Sequence, residues 1–209
     1  MSEPKPTVFV VDDDVSVREA LEDWLRTAGW NVRAFASAEA FLACPPASGP
    51  NCLVLDVSLP DLNGLDLQTR IAGDRADMPI IFITGYGDVP MSVRAMKAGA
   101  TEFLTKPFSE DELLGAVEAA LDRSRQTVGE QSALRALRER YDALSRRERQ
   151  VMALVVKGLL NKQVGGELGI SEITVKAHRG RVMEKMQARS LPDLVNIHAR
   201  LGLSGDAEP

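Results

Sequence analysis

The chain has 209 residues, 44% hydrophobic and 26% charged, with a formal net charge of −5; that length suits two compact domains or one large one, and the composition is that of a soluble globular protein. Two cysteines, Cys44 and Cys52, are too few for a disulfide framework or a zinc site of their own, which points to a reducing cytoplasm. No apolar run approaches the roughly 20 residues of a membrane-spanning helix, and Met1 to Val11 lacks the basic start and long apolar stretch of a signal peptide, so membrane and secreted classes are excluded.

Short β-branched runs alternate with helical patterns through the first part of the chain. Strands are predicted at Thr7-Val-Phe-Val-Val11, Asn31-Val-Arg-Ala-Phe35, Cys52-Leu-Val-Leu-Asp56, Pro79-Ile-Ile-Phe-Ile-Thr84 and Glu102-Phe-Leu-Thr105. Between the first two, Val17, Ala20, Leu21, Trp24, Leu25 and Ala28 recur at helical spacing, with Gly29 as the stop. Weaker helical patterns follow at Ala38 to Leu42, Leu65 to Ala72, Val89 to Ala98 and Glu110 to Leu121. Such alternation makes a parallel sheet covered by helices on both faces.

From Asp122 to Leu144 the chain is polar, with no proline and a single glycine, Gly129, so the helix from Glu110 is expected to continue to about Leu144. Leu134, Leu137, Tyr141 and Leu144 fall at coiled-coil spacing, which fits either a dimer seam or a helix packed on its own neighbours. Beyond Leu144 no strands are predicted. Ser145-Arg-Arg-Glu148 is a capping box opening a helix to about Lys157, stopped by Gly158. A short helix from about Asn161 to Leu168 ends at Gly169, and Ser171 caps a longer one to about Met186. Ser190-Leu-Pro-Asp193 begins the last helix, and the tail after Leu203 reads as frayed. A short helix, a tight turn and a longer helix form a helix-turn-helix pattern.

Charge divides along the same line. Residues 1–121 carry nine basic and nineteen acidic side chains, a balance of −10, whereas residues 145–209 carry eleven and seven, a balance of +4. The basic module is the candidate for touching nucleic acid.

Open parallel sheets bind ligands at the carboxyl ends of their strands. At those ends stand Asp12, Asp13 and Asp14, then Asp56, Thr84 and Lys106-Pro107. Carboxylates brought together repel unless a hard cation such as Mg²⁺ lies between them, and a lysine and a hydroxyl can bind the remaining oxygens of a phosphoryl group.

Val10-Val11-Asp12-Asp13-Asp14, Leu55-Asp56, Pro60-Asp-Leu-Asn-Gly64, Ile83-Thr84-Gly-Tyr-Gly-Asp-Val-Pro90, Ala95-Met-Lys-Ala-Gly-Ala100 and Phe103-Leu-Thr-Lys106-Pro107-Phe108 resemble a response-regulator receiver domain over residues 5 to 122, most closely the FixJ-like subgroup. The resemblance implies a flavodoxin-like, doubly wound five-stranded parallel sheet. It also implies that Asp56 accepts a phosphoryl group from a sensor histidine kinase. Mg²⁺ would be held by Asp13, Asp56 and the carbonyl of Ser58, with Asp12 acting through water. Lys106 would contact the phosphoryl group, Thr84 would hydrogen-bond it, Phe103 would be the aromatic switch, and the Lys106-Pro107 bond would be cis.

Leu144 to Val151, Asn161 to Val164, Leu168-Gly-Ile170 and Thr174-Val-Lys-Ala-His178 to Met186 resemble the LuxR-type DNA-binding domain. On its second helix Val175, His178, Val182 and Met186 mark a buried face, which makes His178 a packed residue. The free side offers Thr174, Lys176, Ala177, Arg179, Gly180 and Arg181 to a major groove of double-stranded DNA. Lys162, Arg146, Arg147 and Arg149 either contact phosphates or are simply solvated. Gly165-Gly166 departs from the family, which more often has alanine at the first position, and two glycines weaken a helix by roughly 2 kcal/mol relative to two alanines.

The expected organisation is an α/β receiver at 1–122, a helical linker at 123–143 and an all-α helix-turn-helix domain at 144–209. The expected function is that of a cytoplasmic, non-enzymatic transcription regulator in which phosphorylation promotes homodimerisation, with Val93, Arg94 and Lys97 on the pairing surface, and then DNA binding. Two rivals use the same residues: a haloacid-dehalogenase-like phosphatase with Asp12 as nucleophile, which leaves Asp56 without a role, and a phosphorylation-independent regulator.

Overall fold

The computed structural model describes residues 5–47, 49–73, 75, 77–85 and 89–203. Tyr86, Gly87 and Asp88 of the Thr84-to-Pro90 motif and the tail from Ser204 lie outside the described residues. The chain divides into two compact units, 1–129 and 130–209.

In the first unit the strands are β1 (Thr7–Val11), β2 (Asn31–Phe35), β3 (Asn51–Asp56), β4 (Ile80–Thr84) and β5 (Glu102–Thr105). All pair in parallel, in the order β2-β1-β3-β4-β5. The connecting helices are α1 (Val15–Thr27), α2 (Ala38–Leu42), α3 (Gly64–Ile71) and α4 (Val89–Lys97), followed by α5 (Glu110–Asp142). This is the flavodoxin-like order, and alternation along the strands builds a core on each face. Phe9, Val11, Leu53, Leu55, Ile80 and Phe82 pack with Phe41, Leu67, Ile71 and Ala95 from α2, α3 and α4. Val8, Val10, Cys52, Val54, Ile81 and Ile83 pack with Leu21, Leu25, Leu113, Val117 and Leu121 from α1 and α5. Each fully buried side chain of this size contributes about 1.5–3 kcal/mol relative to exposure. β1, β3 and β4 therefore read as continuous apolar runs because both of their faces are covered.

The strand starts are tied down as well. Ser124 of α5 is buried, and its Oγ accepts a hydrogen bond from the Asn51 amide at 3.0 Å, which places Asn51 within β3. Cys52 lies deep in the sheet, where burial pushes its thiol well above the ordinary range and leaves it unreactive.

The second unit comprises the end of α5 with α6 (Arg146–Val156), α7 (Asn161–Leu168), α8 (Glu172–Met186) and α9 (Leu191–Arg200). Ser145 and Glu148 form the capping box of α6, Ser171 caps α8 and Ser190 caps α9. Val151, Met152, Val155, Val164, Val175, Val182, Met186, Leu194 and Ile197 make its core. Leu137 and Leu144 are buried in that same core, with Tyr141 packed against it, so three of the four positions at coiled-coil spacing pack on neighbours within the unit. α5 is one continuous helix of 33 residues, and among the described residues no helix is long and apolar enough to cross a membrane.

One glycine of the Gly165-Gly166 pair has a steric reason. A Cβ on Gly165 would lie 2.7 Å from the carbonyl oxygen of Ile170, whereas a Cβ on Gly166 would meet open space. The backbone after α7 doubles back through Gly169, which adopts φ +65°, and passes close over Gly165. Nothing in the structure explains the second glycine.

Candidate functional site

β1 is the strand from which the connections turn to opposite sides, since β2 lies on one side of it and β3 on the other. Asp12 follows β1 directly and Asp56 ends β3, so both stand at the switch point where open α/β sheets bind ligands. Carboxylate oxygens of Asp12, Asp13 and Asp56 lie within 4.8 Å of one another. Asp12 is fully buried, Asp56 nearly so and Asp13 exposed. Asp14 is turned to another purpose: its Oδ1 accepts from the amides of Ser16 and Val17 and caps α1.

Local hydrogen bonds fix each acid. Asp12 Oδ1 accepts from the Asp14 amide at 2.8 Å, and Asp56 Oδ1 accepts from the Ser58 amide at 2.8 Å. Lys106 Nζ donates to Asp12 Oδ2 at 2.8 Å and to Asp56 Oδ2 at 2.6 Å, joining the end of β5 to the ends of β1 and β3. The Lys106-Pro107 bond is cis. Burial raises the Asp12 carboxyl above its ordinary range, and the adjacent Lys106 ammonium offsets part of that rise. Burial also opposes the Lys106 charge, but hydrogen bonds to Asp12 and Asp56 outweigh it and the ammonium is held above its ordinary range.

The donor set fits a hard divalent cation. Three carboxylates face one ammonium, leaving an excess of negative charge on oxygen ligands, one of them at the solvent side. Thr84 closes β4 beside this cluster, fully buried, and its carbonyl accepts from the Lys106 amide at 2.7 Å. Phe103 pairs with Phe82 across the β4–β5 ladder, ring centroids 6.3 Å apart, and is partly buried against the α2–α3–α4 face.

Arg18, which the sequence did not single out, and Gly64, which it gave only as part of a motif, help to build this site. Arg18, in the first turn of α1, donates to the carbonyl of Asp12 at 2.7 Å and of Asp13 at 3.3 Å, pinning the acidic loop. Gly64 begins α3 against the back of Asp56: a Cβ there would lie 2.6 Å from the Asp56 carbonyl oxygen and 3.0 Å from the Val57 Cα. No local spacing announces the first, because Arg18 bonds main-chain carbonyls, and the second depends on a tertiary approach.

On α4, Val93, Arg94 and Lys97 are all exposed, and they are joined by Val89 and Met96, which leave 76% and 46% of their surface in solvent. In the second unit Thr174, Lys176, Ala177, Gly180 and Arg181 are exposed along α8. Arg179 is half-buried, and its Nη1 donates to Asn161 Oδ1 at 3.1 Å, so this candidate braces α8 against α7. His178 is packed, its Nδ1 buried without a partner. Arg149 lies over the Tyr141 ring and donates to the Asp142 carbonyl at 2.9 Å, and Arg147 donates to Gln150, while Lys162 and Arg146 stay exposed.

These two constellations agree with known proteins. Residues 8–118 match the response regulator receiver domain, and residues 142–198 match the bacterial regulatory proteins of the luxR family. The chain is 52% identical to nodulation protein W of Bradyrhizobium diazoefficiens over 202 residues, covering 97% of this chain and 89% of that protein. It is 46% identical over 201 residues to the response regulator protein TodT of Pseudomonas putida, covering 96% of this chain and 88% of that one. Among solved structures it resembles the response regulator StyR, with a TM-score of 0.86 at 47% identity, covering 94% of this chain and all of that one. The chain belongs to the two-component response regulators of the FixJ-like kind, transcription regulators that join a receiver domain to a LuxR-type DNA-binding domain.

Proposed function

We propose that Asp56 is the phosphoacceptor, that Asp12, Asp13 and Asp56 with the carbonyl of Ser58 hold Mg²⁺, and that phosphorylation pairs two chains through α4 for DNA binding. The observation that carries the reading is the Lys106 ammonium bonded at once to Asp12 and Asp56 at the sheet's switch point. Asp56 is the nucleophile. One of its carboxylate oxygens forms a bond to phosphorus as the bond from phosphorus to the imidazole nitrogen of the kinase's phosphohistidine breaks, and the electron pair leaves with the imidazole. The Ser58 amide fixes the orientation of the attacking carboxylate by holding Oδ1. Lys106 follows the charge, moving from the Asp56 carboxylate to a phosphoryl oxygen, and the Thr84 hydroxyl donates to another. A divalent cation held by Asp12, Asp13 and Asp56 would supply neutralisation of the transferring oxygens.

The phosphatase alternative, with Asp12 as nucleophile, gives way to the family assignment. Val93, Arg94 and Lys97, with Val89 and Met96 beside them, give α4 an exposed apolar and basic face suited to pairing receivers. Residues 123–143 lie within α5, but Leu137 and Tyr141 already belong to the core of the second unit, so the part of that stretch before Leu137 serves as the helical connection from a cytoplasmic receiver to the DNA-binding domain.

Peptide mapping and sizing after incubation with acetyl phosphate and Mg²⁺ test this directly. Label is expected on Asp56 alone, with a shift of wild type but not of Asp56→Asn toward dimer. Label on Asp12 with release of phosphate overturns the assignment of the acceptor, and labelling of Asp56 without a size change overturns the dimerisation step.

A further inference from the structure

On α8 the buried residues Val175, Val182 and Met186 define an inner face, and at 100° per residue the point opposite its centre falls on Glu184, with Ile173 and Ala177 on either side of that line and Gly180 next to them. All four are exposed. Ile173 leaves 82% of its surface in solvent, the highest value among the exposed large hydrophobic side chains of the described residues. A lone exposed isoleucine is ordinary; this one stands in the first turn of the helix, beside the mid-line of the outer face, with Lys176 one turn on. Ala177 and Gly180 behind it add no bulk, so the helix can lie close to whatever it faces. The neighbouring polar group is already engaged, because the Thr174 hydroxyl is hydrogen-bonded to Ser171 Oγ at 2.8 Å within the cap. The leading edge of α8 therefore presents an exposed branched apolar group with a cation, Lys176, one turn on, which is complementary to a polyanion carrying an apolar feature in its groove.

We infer that Ile173 is a specificity-determining residue that packs on the 5-methyl group of a thymine in each half-site of the operator. The inference rests on the DNA-binding role of this domain. Helix-turn-helix domains place the amino-terminal residues of the second helix against base edges. In the major groove the thymine methyl is the one apolar group that separates A·T from the other pairs, and an aliphatic side chain recognises it by burial rather than by hydrogen bonding. Lys176 and Arg181, on either flank of that outer face, bind anionic backbone oxygens, so Ile173 supplies discrimination that these cations do not.

The test removes only the methyl group. Sequences bound by the full chain, in the presence of acetyl phosphate and Mg²⁺, are selected from random duplexes of about two helical turns. The selected duplex is then remade with each thymine in turn replaced by deoxyuridine. At one position per half-site the replacement is expected to weaken wild type about three- to fivefold, the worth of one buried methyl group. Ile173→Ala, which folds normally because the side chain is exposed, is expected to bind the thymine duplex more weakly by a similar factor and to be indifferent to deoxyuridine at that position. Lys176→Ala should instead weaken binding at all sequences while keeping the deoxyuridine penalty. A penalty that is equal in wild type and Ile173→Ala, or absent at every thymine, overturns the assignment even though DNA is bound. Failure to select any sequence overturns sequence-specific DNA binding itself, and the role of Ile173 with it.

Discussion

Lys106 Nζ and Asp56 Oδ2 are 2.6 Å apart, and the same ammonium reaches Asp12 Oδ2 at 2.8 Å. The group expected to meet the phosphoryl oxygens is thus already bound to the group expected to carry them. In the resting state it balances one of three neighbouring negative charges, and transfer to Asp56 requires only that it move from a carboxylate to a phosphoryl oxygen on the same side chain.

Replacing Lys106 by methionine keeps the aliphatic stem and removes the charge. Asp12 and Asp56 then face each other without a cation in a buried place, and breaking such a pair costs up to about 3–5 kcal/mol; partial exposure of the lysine brings the expectation to roughly 1–3 kcal/mol. Mg²⁺ should restore more stability to Lys106→Met than to wild type, because a cation that binds only the folded state stabilises it by mass action. Thermal melts with and without Mg²⁺ measure both effects, and equal responses of the two proteins would remove the electrostatic account. The pH dependence has a definite sign. The folded value of Lys106 is raised by its two carboxylate bonds despite burial, so its contribution is fully present below the ordinary lysine range and is lost as pH rises through the raised value. Wild type should therefore lose an increment of stability on the alkaline side that Lys106→Met does not show.

Gly64 lies behind the acceptor strand, and a Cβ there would sit 2.6 Å from the Asp56 carbonyl oxygen. Both partners are backbone, so neither can rotate away. Gly64→Ala should displace the end of β3, cost about 1–3 kcal/mol as an overpacking change, and slow labelling by acetyl phosphate by at least about tenfold, since small misplacements of reacting groups are expensive. Unchanged labelling kinetics in a destabilised protein would show that the loop moves without moving the Asp56 carboxylate.

The elements and the acidic cluster were legible because their causes are local. Apolar runs such as Thr7 to Val11 report burial on both faces, and caps such as Ser145 with Glu148 report helix starts. Chemistry at the strand ends follows once the strands are placed, which is why Asp12, Asp13, Asp56 and Lys106 could be grouped before any geometry was known. Contacts between distant segments were not legible. Nothing near Arg179 announces Asn161, eighteen residues earlier, and nothing beside Gly165 announces the Ile170 carbonyl pressing on it. Leu137 and Leu144 showed coiled-coil spacing, but spacing names a buried stripe without naming what buries it.

Glu148 is a further buried acid with an identifiable partner. Its Oε2 accepts from Lys185 Nζ at 2.7 Å and from the Ser145 amide at 2.8 Å. The Lys185 bond first, and the Ser145 amide next, hold its carboxyl below the ordinary glutamate range. A lowered folded value means that the stabilisation is present above the ordinary range and is lost as pH falls through the lowered value. The second unit should therefore lose stability on acidification below about pH 4.3. Glu148→Gln keeps the capping geometry, since glutamine also serves at that position, but loses the charge facing Lys185, so it should flatten that acid limb and cost up to about 1 kcal/mol at neutral pH. Denaturant unfolding of wild type and variant across the acid range checks the sign, and parallel acid limbs would assign the acid loss to other groups.

The Gly165-Gly166 pair yields opposite expectations for one substitution at adjacent positions. Alanine exceeds glycine in helix propensity by about 0.8–1 kcal/mol, partly because glycine has more backbone freedom to lose on folding. At Gly166 the added methyl meets open space, so Gly166→Ala should raise stability by nearly that full amount. At Gly165 it meets the Ile170 carbonyl at 2.7 Å, so the same propensity gain is opposed by a clash between α7 and the turn leading into α8. Gly165→Ala should leave stability unchanged or reduced, and should also weaken DNA binding by shifting the first turn of α8. Denaturant unfolding and duplex titration of the two variants separate the cases. Equal stabilisation by both would mean that the turn yields freely, and the close approach at Gly165 would then carry no constraint on the position of α8.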